Sequence, residues 1–90
     1  MTDNKTIIIY TLENGHYHSY ITGLDLFISG NETNVNFKTF EECQKATLAE
    51  LEACKEDIIV ESTTAQLKRY FSDMDDEMVL TICKIDVINL

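Results

Sequence analysis

The sequence predicts a small α+β domain, in which helices pack on one face of a mainly antiparallel sheet. Three β-branched or aromatic segments come first, two segments with helical spacing follow, and an apolar segment closes the chain. Helices that follow a run of strands, instead of alternating with them, are typical of this class. A length of 90 residues leaves room for one domain, at residues 1–90. We therefore expect the order β-β-β-α-short α-β.

The first two strands are predicted to form a hairpin. Residues 6–12 and 16–22 are rich in β-branched and aromatic side chains, and the dipeptide Asn14-Gly15 separates them. This dipeptide accepts the two positive φ angles of a type I′ turn. A third strand is predicted at residues 24–29, so the first third of the chain supplies three consecutive strands.

Two helices are predicted in the middle of the chain. Thr39 and Glu42 form a capping box, which starts a helix over residues 40–55. The apolar stripe of this helix consists of Phe40, Cys43, Thr47, Leu51 and Cys54. Thr63 and Gln66 form a second capping box, and the short helix that follows ends at an acidic turn.

The closing segment, residues 78–88, is the most strand-like stretch of the chain. Its apolar residues occupy both sets of alternating positions, which is typical of a strand that is covered on both faces. We therefore expect this strand to lie inside the sheet and not at its edge.

The three cysteines, Cys43, Cys54 and Cys83, form an odd set without the spacing of a metal site. Cys43 and Cys54 would lie about 16 Å apart along one helix axis, which is too far for a disulfide. Buried free thiols in a reducing compartment are the simplest interpretation, so we expect a cytoplasmic protein.

The sequence lacks the residue patterns of an enzyme. No serine stands in the glycine-flanked setting of a nucleophile elbow, and no glycine opens a helix as a phosphate loop requires. His16 and His18 share one strand face, but no third ligand is spaced to complete a metal site. The acidic turn does not fit a calcium loop, whose turning glycine would fall at Met78. We therefore expect a non-enzymatic protein without a cofactor or metal.

The net charge of the chain argues against some classes of binding partner. The chain contains sixteen Asp and Glu residues and seven Lys and Arg residues, which gives a formal net charge of −9. Because phosphate backbones and anionic membranes are bound through Lys and Arg, we expect neither as a direct partner. No segment reaches the roughly 18 apolar residues of a membrane helix. An acidic surface suits a basic protein partner, although it also serves plain solubility.

Four motifs recur in an order that is known from one family. A glycine precedes an aromatic return strand (Gly15-His16-Tyr17-His18-Ser19-Tyr20), and a threonine caps a helix (Thr39-Phe40-Glu41-Glu42-Cys43). An isoleucine-rich exit then leads into a Ser/Thr step (Ile58-Ile59-Val60-Glu61-Ser62-Thr63), and a strand closes the chain. Over roughly residues 6–88 this order resembles the N-terminal domain of HicB-like antitoxins.

The resemblance implies both a fold and a function. The fold would be a partial ribonuclease-H-like domain without its active site. The function would be to bind and mask a small basic ribonuclease, a HicA-like toxin. Many family members also carry a C-terminal DNA-binding domain. Because this chain stops at Leu90, directly after its last strand, we do not expect operator binding.

Two acidic groups are the candidate partner-binding residues. The first is the acidic turn, Asp73, Asp75, Asp76 and Glu77, and the second is the outer face of the first helix, Glu41, Glu52 and Glu56. The mechanism that we expect is steric masking with electrostatic steering. Solvation of a loop, and capping of a helix start, explain the same residues without any partner.

Two other functions stay open at this level. The second hypothesis, after the antitoxin, is a phage-encoded anti-defence protein, an acidic nucleic-acid mimic that inhibits a host nuclease complex. The third is a structural adaptor without an inhibitory role. A neighbouring gene for a small basic protein would favour the antitoxin reading. The sequence also leaves open a homodimer.

Overall fold

The computed structural model describes residues 5–30, 36–59 and 62–89. Within these ranges four strands form one antiparallel sheet in the order β3-β2-β1-β4. The strands are β1 (Lys5–Glu13), β2 (His16–Ile21), β3 (Leu26–Ile28) and β4 (Ile82–Asn89), and the helices are α1 (Phe40–Ala53), α2 (Thr63–Asp73) and α3 (Asp76–Val79). A 3₁₀ turn, Lys55–Asp57, follows α1. The predicted α+β class is confirmed, and α3 is an addition to the predicted order.

The predicted hairpin turn is present between β1 and β2. Asn14 has a φ of 52° and Gly15 a φ of 79°, as a type I′ turn requires. The third strand is shorter than predicted, because residues 22–25 form a turn in which Asp25 has a φ of 50°. Aspartate tolerates this left-handed conformation better than most residues.

Helix α1 starts where the capping residue predicts. The Thr39 hydroxyl accepts the N–H of Glu42 at 3.2 Å, and the helix ends at Ala53, two residues before the predicted end. Its predicted stripe faces the sheet, with Cys43, Thr47 and Leu51 buried. The core on this side is completed by Ile8, Tyr10, Ile21, Ile28 and Phe37.

Helix α2 covers the opposite face of the sheet, so the prediction that the helices share one face is wrong. Ile7, Ile9 and Tyr20 form this second core with Tyr70 of α2. Since side chains alternate along a strand, Ile7 and Ile9 point away from the α1 side, where Ile8 and Tyr10 lie. The unbroken apolar run of β1 therefore requires cover on both faces.

The start of α2 also differs from the prediction. The N-cap is Ser62, whose hydroxyl accepts the N–H of Ala65 at 3.1 Å, and Thr63 is the first helical residue. Gln66 does not complete a capping box, because its side chain is fully buried against β1. Because Ser62 caps the helix, the side-chain amide of Gln66 is available to form hydrogen bonds with β1.

Strand β4 lies at an edge of the sheet, contrary to the prediction of an interior position. It pairs with β1 on one side, and no described strand pairs with its other side. It begins at Ile82 because residues 78–81 complete α3 and a turn. Ile85 and Val87 remain exposed, whereas β1 is buried on both faces. The apolar residues of β4 therefore do not report an interior strand.

The cysteines differ in exposure. Cys43 is buried and Cys54 is partly buried, but Cys83 on β4 is exposed, which corrects the prediction of three buried thiols. The edge position of β4 explains this exposure. In the part of the chain that the structure describes, no helix has the length and apolar character to span a membrane.

Candidate protein-binding surface

The acidic turn is a short helix with an acidic start. Asp73 is the last residue of α2, and Asp75 is the N-cap of α3. The Asp75 carboxylate accepts the N–H of Met78 at 2.9 Å, and Asp76 and Glu77 occupy the first helical turn. Acidic side chains are favourable at this end of a helix, so the local sequence itself dictates α3.

Two successive hydrogen bonds connect α3 to the sheet through Thr81. The Thr81 hydroxyl donates to the carbonyl of Met78 at 2.7 Å, which closes the helix end. The N–H of Leu12 then donates to the carbonyl of Thr81 at 2.9 Å, where β4 approaches the end of β1. The acidic residues are therefore held in place relative to the sheet, although all four side chains are exposed.

Exposed apolar residues lie within the same segment. Leu80 is 84% exposed, the highest value for a large hydrophobic residue among those described, and Met78 is also exposed. Sequence reasoning missed these two residues because it assigned them to an interior strand. We call the group Asp73, Asp75, Asp76, Glu77, Met78 and Leu80 the α3 surface. It places exposed apolar side chains beside acidic ones, and an interface can use the apolar side chains in its core and the charged ones at its polar rim.

The second acidic group lies elsewhere on the molecule. Glu41 and Glu52 are exposed on α1, and Glu56 is exposed in the 3₁₀ turn that follows. Glu52 and Glu56 lie toward the end of α1 and beyond it, whereas Glu41 follows Phe40, whose ring lies 5.2 Å from the Lys84 ammonium of β4. Glu41 therefore lies near the start of β4, to which α3 connects. Lys45 and Lys55 are interspersed with the three glutamates and are exposed as well.

The histidines are placed on the α2 side of β2. The His18 ring stacks on Phe27 of β3, with 5.7 Å between ring centroids. Among the described residues, no group of three His, Cys, Asp or Glu side chains is arranged to hold a metal ion. The stacking contact gives His18 a packing role.

A polar cluster joins α2 to the turn after β2. The Tyr20 hydroxyl donates to the Asp25 carboxylate, and the Arg69 guanidinium donates to the carbonyl of Thr22 at 2.6 Å. Burial raises the pKa of Tyr20, and the hydrogen bond to Asp25 raises it further. These groups fix the end of the sheet under α2.

Comparison of the chain with known protein families, with curated proteins and with solved structures found no match. The resemblance to HicB-like antitoxins therefore stays a prediction. The site that carries the functional argument is the α3 surface, on its own geometry and charge.

Proposed function

We propose that this protein is a non-enzymatic inhibitor, which binds a basic protein partner through the α3 surface. In the specific form that the HicB-like resemblance favours, the partner is a small basic ribonuclease toxin and the protein is its antitoxin. Binding would mask the toxin sterically, and the acidic side chains would steer the encounter.

The charge of the α3 surface is the observation that carries this proposal. Residues 73–80 contain four acidic side chains and no Lys or Arg. Residues 41–57 also carry a net charge of −4, but their six acidic side chains are mixed with Lys45 and Lys55 over about twice the length of chain. A uniformly acidic segment raises the local concentration of a basic partner more effectively than a mixed one.

The apolar residues give the same surface a means of retaining the partner. Charges at the rim of an interface mainly raise the association rate, whereas buried apolar contacts lower the dissociation rate. Leu80 projects beside the acidic residues with most of its surface free. The α3 surface therefore offers both steering and an anchor.

The proposal is tested by capture from the native host with three forms of the protein. The first is the wild type. The second carries Asp73→Asn, Asp76→Asn and Glu77→Gln, and it keeps the Asp75 cap. The third is a matched control with the same loss of three charges on α1: Glu41→Gln, Glu52→Gln and Glu56→Gln.

We expect the wild type and the control to retain a small basic protein that the α3 variant loses. The retained protein should cleave RNA when it is alone and stop cleaving when the wild type is added. A partner that all three forms retain equally would contradict the assignment to the α3 surface. A captured nuclease complex whose nucleic-acid binding is blocked would instead favour the nucleic-acid mimic.

A further inference from the structure

The outer side of β4 carries free backbone hydrogen-bonding groups. The carbonyl of Ile7 accepts the N–H of Thr22 at 3.0 Å, so the backbone groups of Ile7 point toward β2. Ile7 is opposite Val87, and Ile9 is opposite Ile85. These two pairs are therefore of the type that exchanges no hydrogen bonds, and Val87 and Ile85 direct their N–H and C=O groups to the open edge.

The described part of β4 protects this edge only weakly, through one charged pair and a register irregularity near its start. The strand is eight residues long and contains no proline, and its charges are limited to Lys84 and Asp86. Ile85 and Val87 are 42% and 53% exposed on the α2 side of the sheet. The unpaired backbone groups of such an edge can pair with a strand of another chain.

The charged side chains of β4 indicate which strand can pair with its free edge. On the α1 side of the sheet Lys84 and Asp86 lie next to each other, with 3.5 Å between the Lys84 ammonium and an Asp86 oxygen. An antiparallel copy of β4 centred on Ile85 would place Lys84 opposite Asp86 of the copy, twice by symmetry. We propose that β4 pairs with β4 of a second copy in this register, which joins two sheets into one.

The alternative registers are unfavourable. A shift of one residue would exchange the two faces of the strand, since side chains alternate. A shift of two residues in one direction places Lys84 opposite Lys84, and in the other direction it places Asp86 opposite Asp86. The register centred on Ile85 is therefore favoured over these neighbours, and it pairs both charges of β4 with opposite charges of the copy.

The net charge of the chain does not prevent this contact. Two copies at −9 repel each other, but β4 itself is neutral because Lys84 balances Asp86. In an antiparallel pair the two α3 surfaces lie at opposite ends of the joined strands, which separates the most acidic segments. Helix α1 packs mainly on β2 and α2 on β1, and the contact of α1 with β4 includes the Phe40 ring, 5.2 Å from the Lys84 ammonium. The pairing goes beyond the proposed function and does not depend on it.

The test is the molar mass of the wild type, measured by sedimentation from about 1 µM to about 1 mM. We expect a concentration-dependent dimer. Lys84→Asp and Asp86→Lys should each raise the dissociation constant by about tenfold or more, because each turns two attractive pairs into repulsive ones. Lys45→Asp and Glu50→Lys change the net charge equally on exposed α1 positions, and they should leave the dimer intact.

Mixing provides the decisive measurement. Equal amounts of the Lys84→Asp and Asp86→Lys variants should form a mixed dimer, since two acidic side chains then face two basic ones. If each variant failed to dimerise only because it had lost the Lys84–Asp86 contact within its own chain, mixing the two variants would not restore the dimer. A wild type that is monomeric throughout, or variants that fail to associate when mixed, would overturn the proposal.

Discussion

The side-chain carbonyl of Gln66 accepts the backbone N–H of Ile7 at 3.2 Å, inside the protein. The Gln66 amide also donates to the carbonyl of Lys5 at 3.0 Å, and the Thr22 hydroxyl donates to the same side-chain carbonyl. Strand β2 has ended at Ile21 by this point. The N–H of Thr22 still donates to the carbonyl of Ile7, but the N–H of Ile7 bonds the side chains of Thr22 and Gln66 and no longer the backbone of β2. One side chain of α2 thus supplies hydrogen bonds that the sheet itself lacks.

Replacing Gln66 by leucine should lower the free energy of unfolding by about 1–3 kcal/mol, because it leaves buried polar groups without partners. Ser72→Ala, at an exposed position of α2, serves as the control and should change stability by less than about 0.5 kcal/mol. Urea unfolding at neutral pH measures both. Equal midpoints for the two variants would show that the Gln66 bonds are not made in solution.

Gly23 is required for space. A Cβ atom at this position would lie 2.7 Å from the Thr6 hydroxyl oxygen and 2.8 Å from the Ile58 Cγ2. Gly23→Ala should therefore destabilise the protein by about 1–3 kcal/mol. Because Thr6 contributes the nearest atom, the cost should be smaller in a Thr6→Ala background, which a double-mutant cycle measures.

Gly15 is required for its positive φ angle and not for space, so it serves as the control for Gly23. A Cβ there would meet nothing within 4 Å, but the φ of 79° disfavours any residue with a side chain. Gly15→Ala should cost about 1–2 kcal/mol and should show no coupling to Thr6→Ala. Coupling of equal size at both glycines would contradict the assigned close approach at Gly23.

The Tyr10 hydroxyl is buried and has no hydrogen-bond partner among the described residues. Removing it with Tyr10→Phe should raise the free energy of unfolding by about 1 kcal/mol, since a buried polar group without a partner is unfavourable. Tyr20→Phe should have the opposite effect, because it removes the bond to Asp25. A loss of stability in the Tyr10 variant would show that its hydroxyl has a partner.

The same tyrosine predicts a pH dependence. Burial raises the pKa of Tyr10 above its ordinary value, and the charges of Asp86 and Cys43 raise it further. The unfolded chain therefore loses the proton first, at a pH of about 10. Stability should be complete below that pH and fall as the pH rises above it. In Tyr10→Phe this alkaline loss should be smaller, as thermal unfolding between neutral and alkaline pH would report.

Thiol labelling tests the edge position of β4. In dilute protein Cys83 should react with a thiol reagent in the native state, whereas Cys43 should react only after unfolding. Burial raises the pKa of the Cys43 thiol, and partial desolvation raises the pKa of the Cys83 thiol. Cys83 should therefore react more slowly than a free cysteine at the same pH. Protection of Cys83 in the monomer would place β4 inside the sheet.

Local signals were sufficient for the hairpin turn and for the start of α1. Asn14-Gly15 and Thr39 act through the backbone within a few residues, and such effects can be read from the sequence. The predicted stripe of α1 also holds, because helical spacing alone selects its buried face. The acidic candidates are exposed as expected, but Asp76 and Glu77 belong to α3, a helix that the sequence did not predict, and Glu56 lies in the 3₁₀ turn.

The arrangement of the strands and helices in the tertiary structure could not be predicted from the sequence. Apolar residues in both alternating sets occur in β1 and in β4, yet the structure buries both faces of β1 and exposes much of β4. Lys84 and Asp86 within the strand were the available signal for an edge position. The position of Gln66 depends on where β2 ends, and no local pattern encodes that relationship.

The central claim, that the α3 surface steers a basic partner, is tested most directly by the association rate as a function of salt. The measurement uses the basic protein captured from the host, with the wild type, the α3 variant and the α1 control. Raising the salt from 0.01 M to 0.15 M shortens the Debye length from about 30 Å to about 8 Å, which screens the exposed charges. We predict a steep fall of the rate for the wild type and the control. The α3 variant should associate more slowly with a shallower salt dependence, while its dissociation rate changes little. An α3 variant with the same rate and the same salt dependence as the wild type would contradict the account.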